Sequence, residues 1–152
     1  MNTTRYVVLL IEDDTSAIDL ARQAVAESSP EIDLIVVEGV DAVLDWLSGS
    51  VLKKAQIPDI ILLDLKLPKL DGLAILRKLR KRTDTLEVPI VAFSAEYTQD
   101  DVLMGYQVGA NSFVPKPADL EQFKEFFQEK LAYWMHAHQS EMVSVSGHDV
   151  AE

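Results

Sequence analysis

The sequence predicts an α/β protein with a doubly wound, five-stranded parallel sheet, arranged in three layers of helices, sheet and helices. Five short apolar segments alternate with five segments of helical periodicity along the 152 residues, as expected for repeated β–α units. The apolar segments are nearly continuous, which is typical of strands that are covered on both faces. Several of them end in a polar residue, and the carboxyl ends of parallel strands lie along one edge of a sheet.

Each element is supported by its own local pattern. Apolar runs rich in Ile, Val and Leu predict strands over residues 6–11, 32–37, 60–64, 88–94 and 111–114. Apolar residues at helical spacing predict helices from the capping residues Thr15 or Ser16 to about 28, and over about 40–48, 72–82, 98–108 and 118–135.

Turn and capping residues define the ends of several elements. Ser29-Pro30 breaks the first helix, and Gly109 can end the fourth in the left-handed conformation. Pro115 has no backbone N–H to donate, so we expect the fifth strand to lie at an edge of the sheet.

Composition restricts the possible partners. The net charge is −11, so we expect no nucleic-acid or membrane binding, and we expect protein partners and metal cations instead. No apolar run approaches the roughly 20 residues of a membrane helix. We see no signal peptide and no cysteine, so we expect a cytoplasmic protein without disulfides or thiolate chemistry.

The polar residues at the strand ends predict one pocket. We expect Glu12, Asp13, Asp64, Ser94 and Lys116 to meet there. Three close carboxylates repel one another, and a hard cation such as Mg²⁺ relieves that repulsion. An ammonium and a hydroxyl would then hold the remaining oxygens of a phosphoryl group, for which Asp64 is the predicted acceptor.

Five short motifs give the sequence a family resemblance. In order along the chain they are Leu10-Ile11-Glu12-Asp13-Asp14, Asp64-Leu65-Lys66-Leu67-Pro68-Lys69-Leu70-Asp71-Gly72, Phe93-Ser94-Ala95, Gly109-Ala110-Asn111 and Lys116-Pro117. Their order and spacing resemble those of the response-regulator receiver domains of two-component signalling and chemotaxis. That resemblance implies the CheY-like, flavodoxin-like version of the predicted fold over residues 5–135. Residues 136–152 are polar and acidic without periodicity, so we expect a tail there.

The resemblance also implies roles for the pocket residues. Asp64 would accept a phosphoryl group from the phosphohistidine of a sensor histidine kinase. Mg²⁺ would be bound by Asp13, Asp64 and the backbone carbonyl of Lys66, with Glu12 acting through water. Lys116 would neutralise a phosphoryl oxygen.

A second set of implied roles concerns signalling. Ser94 and Phe113 match the switch pair, in which the hydroxyl moves to the phosphoryl group and the aromatic ring turns inward. The peptide bond between Lys116 and Pro117 would be cis. We also expect Lys66 and Glu96 to face each other across the pocket mouth and restrict attacking water, although such pairs can be ordinary surface charge.

The fourth and fifth helices carry surplus apolar residues. Helical spacing predicts that the core-facing side of the fifth helix is formed by Leu120, Phe123, Phe127, Leu131 and Trp134. We expect an exposed patch for a homodimer or a downstream protein at Met104, Val108, Phe126 and Tyr133. The alternative is that these side chains pack on the flanks of the core.

The sequence thus predicts a non-enzymatic, single-domain response regulator whose output is protein contact. The segments Ala110-Asn111-Ser112-Phe113 and Ala132-Tyr133-Trp134 resemble small regulators paired with phytochrome-type kinases, which are often homodimers. A phosphate sink or relay, a partner-binding pseudo-receiver and a Mg²⁺-dependent phosphatase with an aspartate nucleophile are alternatives. The phosphatase usually needs a second acid at the position of Lys66.

Overall fold

Five parallel strands form a single sheet, as the sequence predicted, and their order is β2-β1-β3-β4-β5. The computed structural model describes residues 5–49, 57–66 and 71–134. The strands are β1 Tyr6–Glu12, β2 Ile32–Glu38, β3 Ile60–Asp64, β4 Ile90–Ser94 and β5 Ser112–Pro115. Residues 67–70 of the second motif, the predicted end of the fifth helix at 135 and the predicted tail over 136–152 lie outside the described residues.

Helices cover both faces of the sheet. They are α1 Thr15–Ser28, α2 Val40–Ser48, α3 Gly72–Lys81, α4 Gln99–Val108 and α5 Leu120–Glu125, which continues as a π-helix over Phe126–Leu131. One core cluster joins α1, α5 and the π-helix to the sheet, and a second cluster joins α2 and α3 to its other face. None of the described helices is long and apolar enough to cross a membrane.

The central strands position the candidate site. All residues of β3 and β4 are buried, because apolar side chains on both strand faces contact helices. Ile11 is paired with Leu63, so the next residues, Glu12 and Asp64, end their two strands side by side. Ser94 is paired with Pro115 on the other side of β3. The register therefore brings the polar strand ends to one edge.

Several element ends differ from the prediction by one or two residues. The first helix is capped by Asp14, whose carboxylate accepts the backbone N–H of Ser16 at 2.9 Å, rather than by Thr15 or Ser16. Gly109 does end α4, at a φ of 138°. The expected edge position of β5 is confirmed.

The predicted exposed patch is wrong in part. Phe126 is only 3% exposed and Val108 packs against the second core cluster, whereas Met104 and Tyr133 are exposed. The π-helix explains the burial of Phe126. Its hydrogen bonds join residues five apart, which places Phe126 and Leu131 on the same buried face. Leu44, one of the apolar residues whose helical spacing predicted α2, is also exposed.

The peptide bond before Pro117 differs from the expectation as well. No peptide bond within the described ranges is cis, so this bond is trans. Trans is the form that most bonds before proline adopt, because it is favoured by about 0.5–1 kcal/mol.

Candidate functional site

A polar pocket of about 270 Å³ opens where β3, β4 and β5 end. Its lining is formed by Asp64, Lys66, Ser94, Ala95, Glu96 and Lys116. Asp64 is 4% exposed and the neighbouring Glu12 is 2% exposed. Two buried carboxylates at adjacent strand ends require a compensating cation.

Lys116 supplies that cation. Its Nζ lies 2.8 Å from Asp64 Oδ2, to which it donates a hydrogen bond, and 2.7 Å from Glu12 Oε2 in a close ion pair. Burial raises the pKa of Glu12, and the contact with Lys116 opposes that rise. Burial alone would lower the pKa of Lys116, but its bonds to Asp64 and Glu12 outweigh burial and raise it. Lys116 therefore remains an ammonium between the two acids.

Backbone amides hold the opposite oxygen of each carboxylate. Asp64 Oδ1 accepts the N–H of Lys66 at 2.8 Å. Glu12 Oε1 accepts the N–H groups of Asp13 and Asp14 at 3.0 and 3.1 Å. Each acid therefore has one oxygen bound to its own loop and the other directed at Lys116. This arrangement fixes both carboxylates in orientation before any ligand binds.

The donor set fits a hard dication. Mg²⁺ prefers a few carboxylate oxygens and keeps several waters, and Glu12, Asp13 and Asp64 offer such oxygens at one sheet edge. They do not form a ready-made cluster: no three acidic or histidine side chains converge on one point in the described ranges. Instead, Lys116 occupies the space between Glu12 and Asp64.

The other expected residues line the mouth of the pocket. The Ser94 hydroxyl is buried and donates to the carbonyl of Glu96 at 2.8 Å. Lys66 and Glu96 both line the pocket. Within the described residues, however, the ion pair of Lys66 is with Asp101, at 3.3 Å, rather than with Glu96. Asp101 was missed, although Thr98 and Asp101 have the spacing of a capping box, which could have placed it at the start of α4.

Phe113 lies on β5 against α4 and the loop after β4. Its ring centroid is 5.0 Å from that of Tyr97 in an edge-on contact. A side chain at Gly105 would lie 3.3 Å from the Phe113 ring, so α4 approaches closely here. The backbone N–H of Phe113 donates to the Tyr106 hydroxyl at 3.2 Å. Phe113 therefore touches both the pocket loop and α4.

Comparison with known proteins agrees with this geometry. A family model for the response regulator receiver domain matches residues 8–128. The chain is 27% identical to response regulator Rcp1 of Synechocystis sp., over 85% of this chain and 88% of that protein. It is 39% identical to the transcriptional regulatory protein CseB of Streptomyces coelicolor over 74% of this chain, but spans only 43% of that protein.

Solved structures show the same fold. The Mn(2+)-bound form of Rcp1 superposes with a TM-score of 0.70 at 27% identity, covering 86% of this chain and 94% of the other. The phosphorylated cyanobacterial phytochrome response regulator RcpA gives 0.67 at 28% identity, with coverage of 83% and 96%. The receiver domain of the sensor histidine kinase PA1611 from Pseudomonas aeruginosa, with magnesium in its active site cleft, gives 0.65 at 26% identity, with coverage of 87% and 98%.

Proposed function

Because the chain belongs to the response regulator receiver domain family, we propose that it is a two-component response regulator whose phosphoryl acceptor is Asp64. The donor is the phosphohistidine of a sensor histidine kinase. The observation that carries the proposal is the buried Asp64 carboxylate at the end of β3, held by Lys66 N–H on one oxygen and by Lys116 on the other.

The reaction exchanges one bond to phosphorus for another. A carboxylate oxygen of Asp64 forms a P–O bond while the P–N bond of the phosphohistidine breaks, and the imidazole nitrogen keeps the electron pair. The phosphoryl group carries about −1.5 to −2 charge and replaces the single negative charge of the Asp64 carboxylate. Lys116 can pair with a phosphoryl oxygen, because its ammonium already lies 2.8 Å from Asp64 Oδ2. The chain's contribution is thus position and charge.

Mg²⁺ is the cofactor that this site would bind. Its residues would be Glu12, Asp13 and Asp64, together with the carbonyl of Lys66. When bound, the ion supplies Lewis-acid stabilisation of the phosphoryl oxygens. The metal-bound forms of Rcp1 and of the PA1611 receiver domain support this assignment.

Signal output would pass through Ser94 and Phe113. On phosphorylation the Ser94 hydroxyl leaves the Glu96 carbonyl and donates to a phosphoryl oxygen. Phe113, now packed against Tyr97, turns into the space beside β4. The surface that changes is formed by α4, β5 and α5, where Met104 and Tyr133 are exposed. That surface is our candidate for contact with a second copy or a downstream protein.

The partner and the extent of the signalling unit belong to the same proposal. Similarity to RcpA, a phytochrome response regulator, supports a phytochrome-type kinase as the donor. We assign the receiver unit to residues 5–135 and the cytoplasm as its location, since a histidine kinase donates its phosphoryl group there.

Phosphorylation by a small donor tests the acceptor. The chain is incubated with acetyl phosphate and Mg²⁺ and its intact mass is measured. We expect one phosphoryl group per chain, and none in Asp64→Asn. Asp59→Asn is the matched control, because Asp59 lies exposed just before the start of the same strand. Labelling of Asp64→Asn, or continued turnover of a phosphate ester, would overturn the proposal.

A further inference from the structure

An ion pair joins the pocket mouth to the first turn of α4. Lys66 follows Asp64 by two residues and lines the pocket. Its Nζ lies 3.3 Å from Asp101 Oδ2, with the two side chains 54% and 31% exposed. The contact therefore connects the loop after β3 with a helix that contributes to the α4, β5 and α5 surface.

Asp101 also caps α4. Its Oδ2 accepts the backbone N–H of Thr98 at 2.8 Å, and its own N–H donates to Thr98 Oγ1 at 3.1 Å. The same carboxylate oxygen thus accepts the Thr98 N–H and pairs with the Lys66 ammonium. The Thr98 hydrogen bond and the ammonium lower the pKa of Asp101, so this carboxylate is anionic at neutral pH.

Lys66 has a second anion within the reach of its side chain. Its own backbone N–H is bound to Asp64 Oδ1, and its long side chain is half exposed, so it can turn from α4 to the pocket. In the present arrangement the charge of Asp64 is met by Lys116. An anion attached to Asp64 would place further negative charge in the pocket that Lys66 lines, in addition to the groups already paired with Lys116 and Mg²⁺.

We propose that Lys66 exchanges Asp101 for the anion bound at Asp64, so that Asp101 competes with this anion and the first turn of α4 responds to it. The inference rests on the proposed function of Asp64. It adds a contact to α4 that is separate from Ser94 and Phe113. Coupling between sites is reciprocal. The Lys66–Asp101 ion pair therefore weakens anion binding by the same free energy by which the bound anion weakens the ion pair.

A double-mutant cycle on anion binding tests the exchange. Beryllofluoride, an analogue of a phosphoryl group on a carboxylate, is titrated with Mg²⁺ into the full chain and into D101N, K66Q and K66Q/D101N. We expect D101N to bind about two- to fivefold more tightly, the range for losing a competing exposed ion pair. K66Q should bind more weakly, and D101N should have no effect in the K66Q background.

The cycle separates exchange from a merely structural role. Asn at position 101 can still accept the Thr98 N–H, so α4 keeps its cap. If Asp101 acts only through the helix, D101N will change affinity equally in both backgrounds. That result, or weaker binding by D101N, would overturn the inference.

A neighbouring acid provides the charge control. Asp100 lies one residue earlier in the same first turn of α4, and D100N removes the same charge. Tightening by D100N equal to that by D101N would mean a general field effect and would also overturn the exchange. Failure of the unmodified chain to bind beryllofluoride would instead count against the proposed function of Asp64.

Discussion

Replacing Lys116 by Met tests how much the two buried acids of the pocket depend on its ammonium for stability. The variant keeps an unbranched, flexible side chain of nearly the same length but removes the ammonium that lies 2.7 and 2.8 Å from the two acids. Glu12 and Asp64 are then buried side by side without a cation. Removing one partner of a buried ion pair costs about 3–5 kcal/mol. We expect a loss of this size in the free energy of unfolding at pH 8.

The loss should be smaller in acid. Repulsion between the stranded acids adds to the burial that already raises the pKa of Glu12 above 4.5, so the folded variant binds a proton more tightly than the unfolded chain. Stability from such a group is fully present below its unfolded pKa and is lost as pH rises through its folded pKa. The relief can reach about 1.4 kcal/mol for each pH unit below the folded pKa, so the penalty at pH 5 should be clearly smaller than the penalty at pH 8.

Urea unfolding followed by circular dichroism, in EDTA at pH 5 and pH 8, measures both values. Lys124→Met is the matched control, because Lys124 pairs with Glu27 at 2.8 Å on the surface, where neither partner should titrate between these pH values. Adding Asp64→Asn to Lys116→Met should restore part of the stability at pH 8. An equal penalty at both pH values, or none at pH 8, would refute this account of the charge.

Two further predictions concern backbone packing. The Arg80 guanidinium donates to the carbonyls of four residues of the loops beside α3 and to the side chain of Asn111. In urea unfolding, Arg80→Met should therefore lower the free energy of unfolding by about 2–4 kcal/mol. Arg77 is exposed, so Arg77→Met should lower it by less than about 0.5 kcal/mol. A side chain at Gly72 would lie 2.4 Å from Leu65 Cα, so Gly72→Ala should lose about 3 kcal/mol. At Gly49 the nearest atoms are 3.5 Å away, so Gly49→Ala should unfold at nearly the same urea concentration as the unmodified chain.

The strand ends were predictable because two regularities coincide. Continuous apolar runs reveal buried parallel strands, and parallel strands place their last residues at one edge. Hence Glu12, Asp64, Ser94 and Lys116 could be grouped from the sequence alone. Which carboxylates share Lys116 depends on side-chain reach, and spacing along the chain does not contain that information.

Two features escaped prediction for different physical reasons. The burial of Phe126 depends on the π-helix. The prediction used α-helical periodicity of about 100° per residue, which places this ring on the flank of the helix. Its edge-on contact with Phe93, at 6.1 Å between centroids, is a tertiary effect. The partner of Lys66 was missed because a flexible, half-exposed lysine can reach acids on more than one loop.

The edge of the sheet at β5 bears on how copies of the chain can associate. Edge strands offer unpaired N–H groups on which another chain can add a strand and begin to aggregate. In β5, Phe113 and Pro115 are two residues apart and so face the same side of the strand. The Phe113 N–H is already bound to the Tyr106 hydroxyl, and proline has none. This edge therefore resists sheet extension, which protects the chain from β-type aggregation and leaves side-chain contacts as the route to assembly on this side.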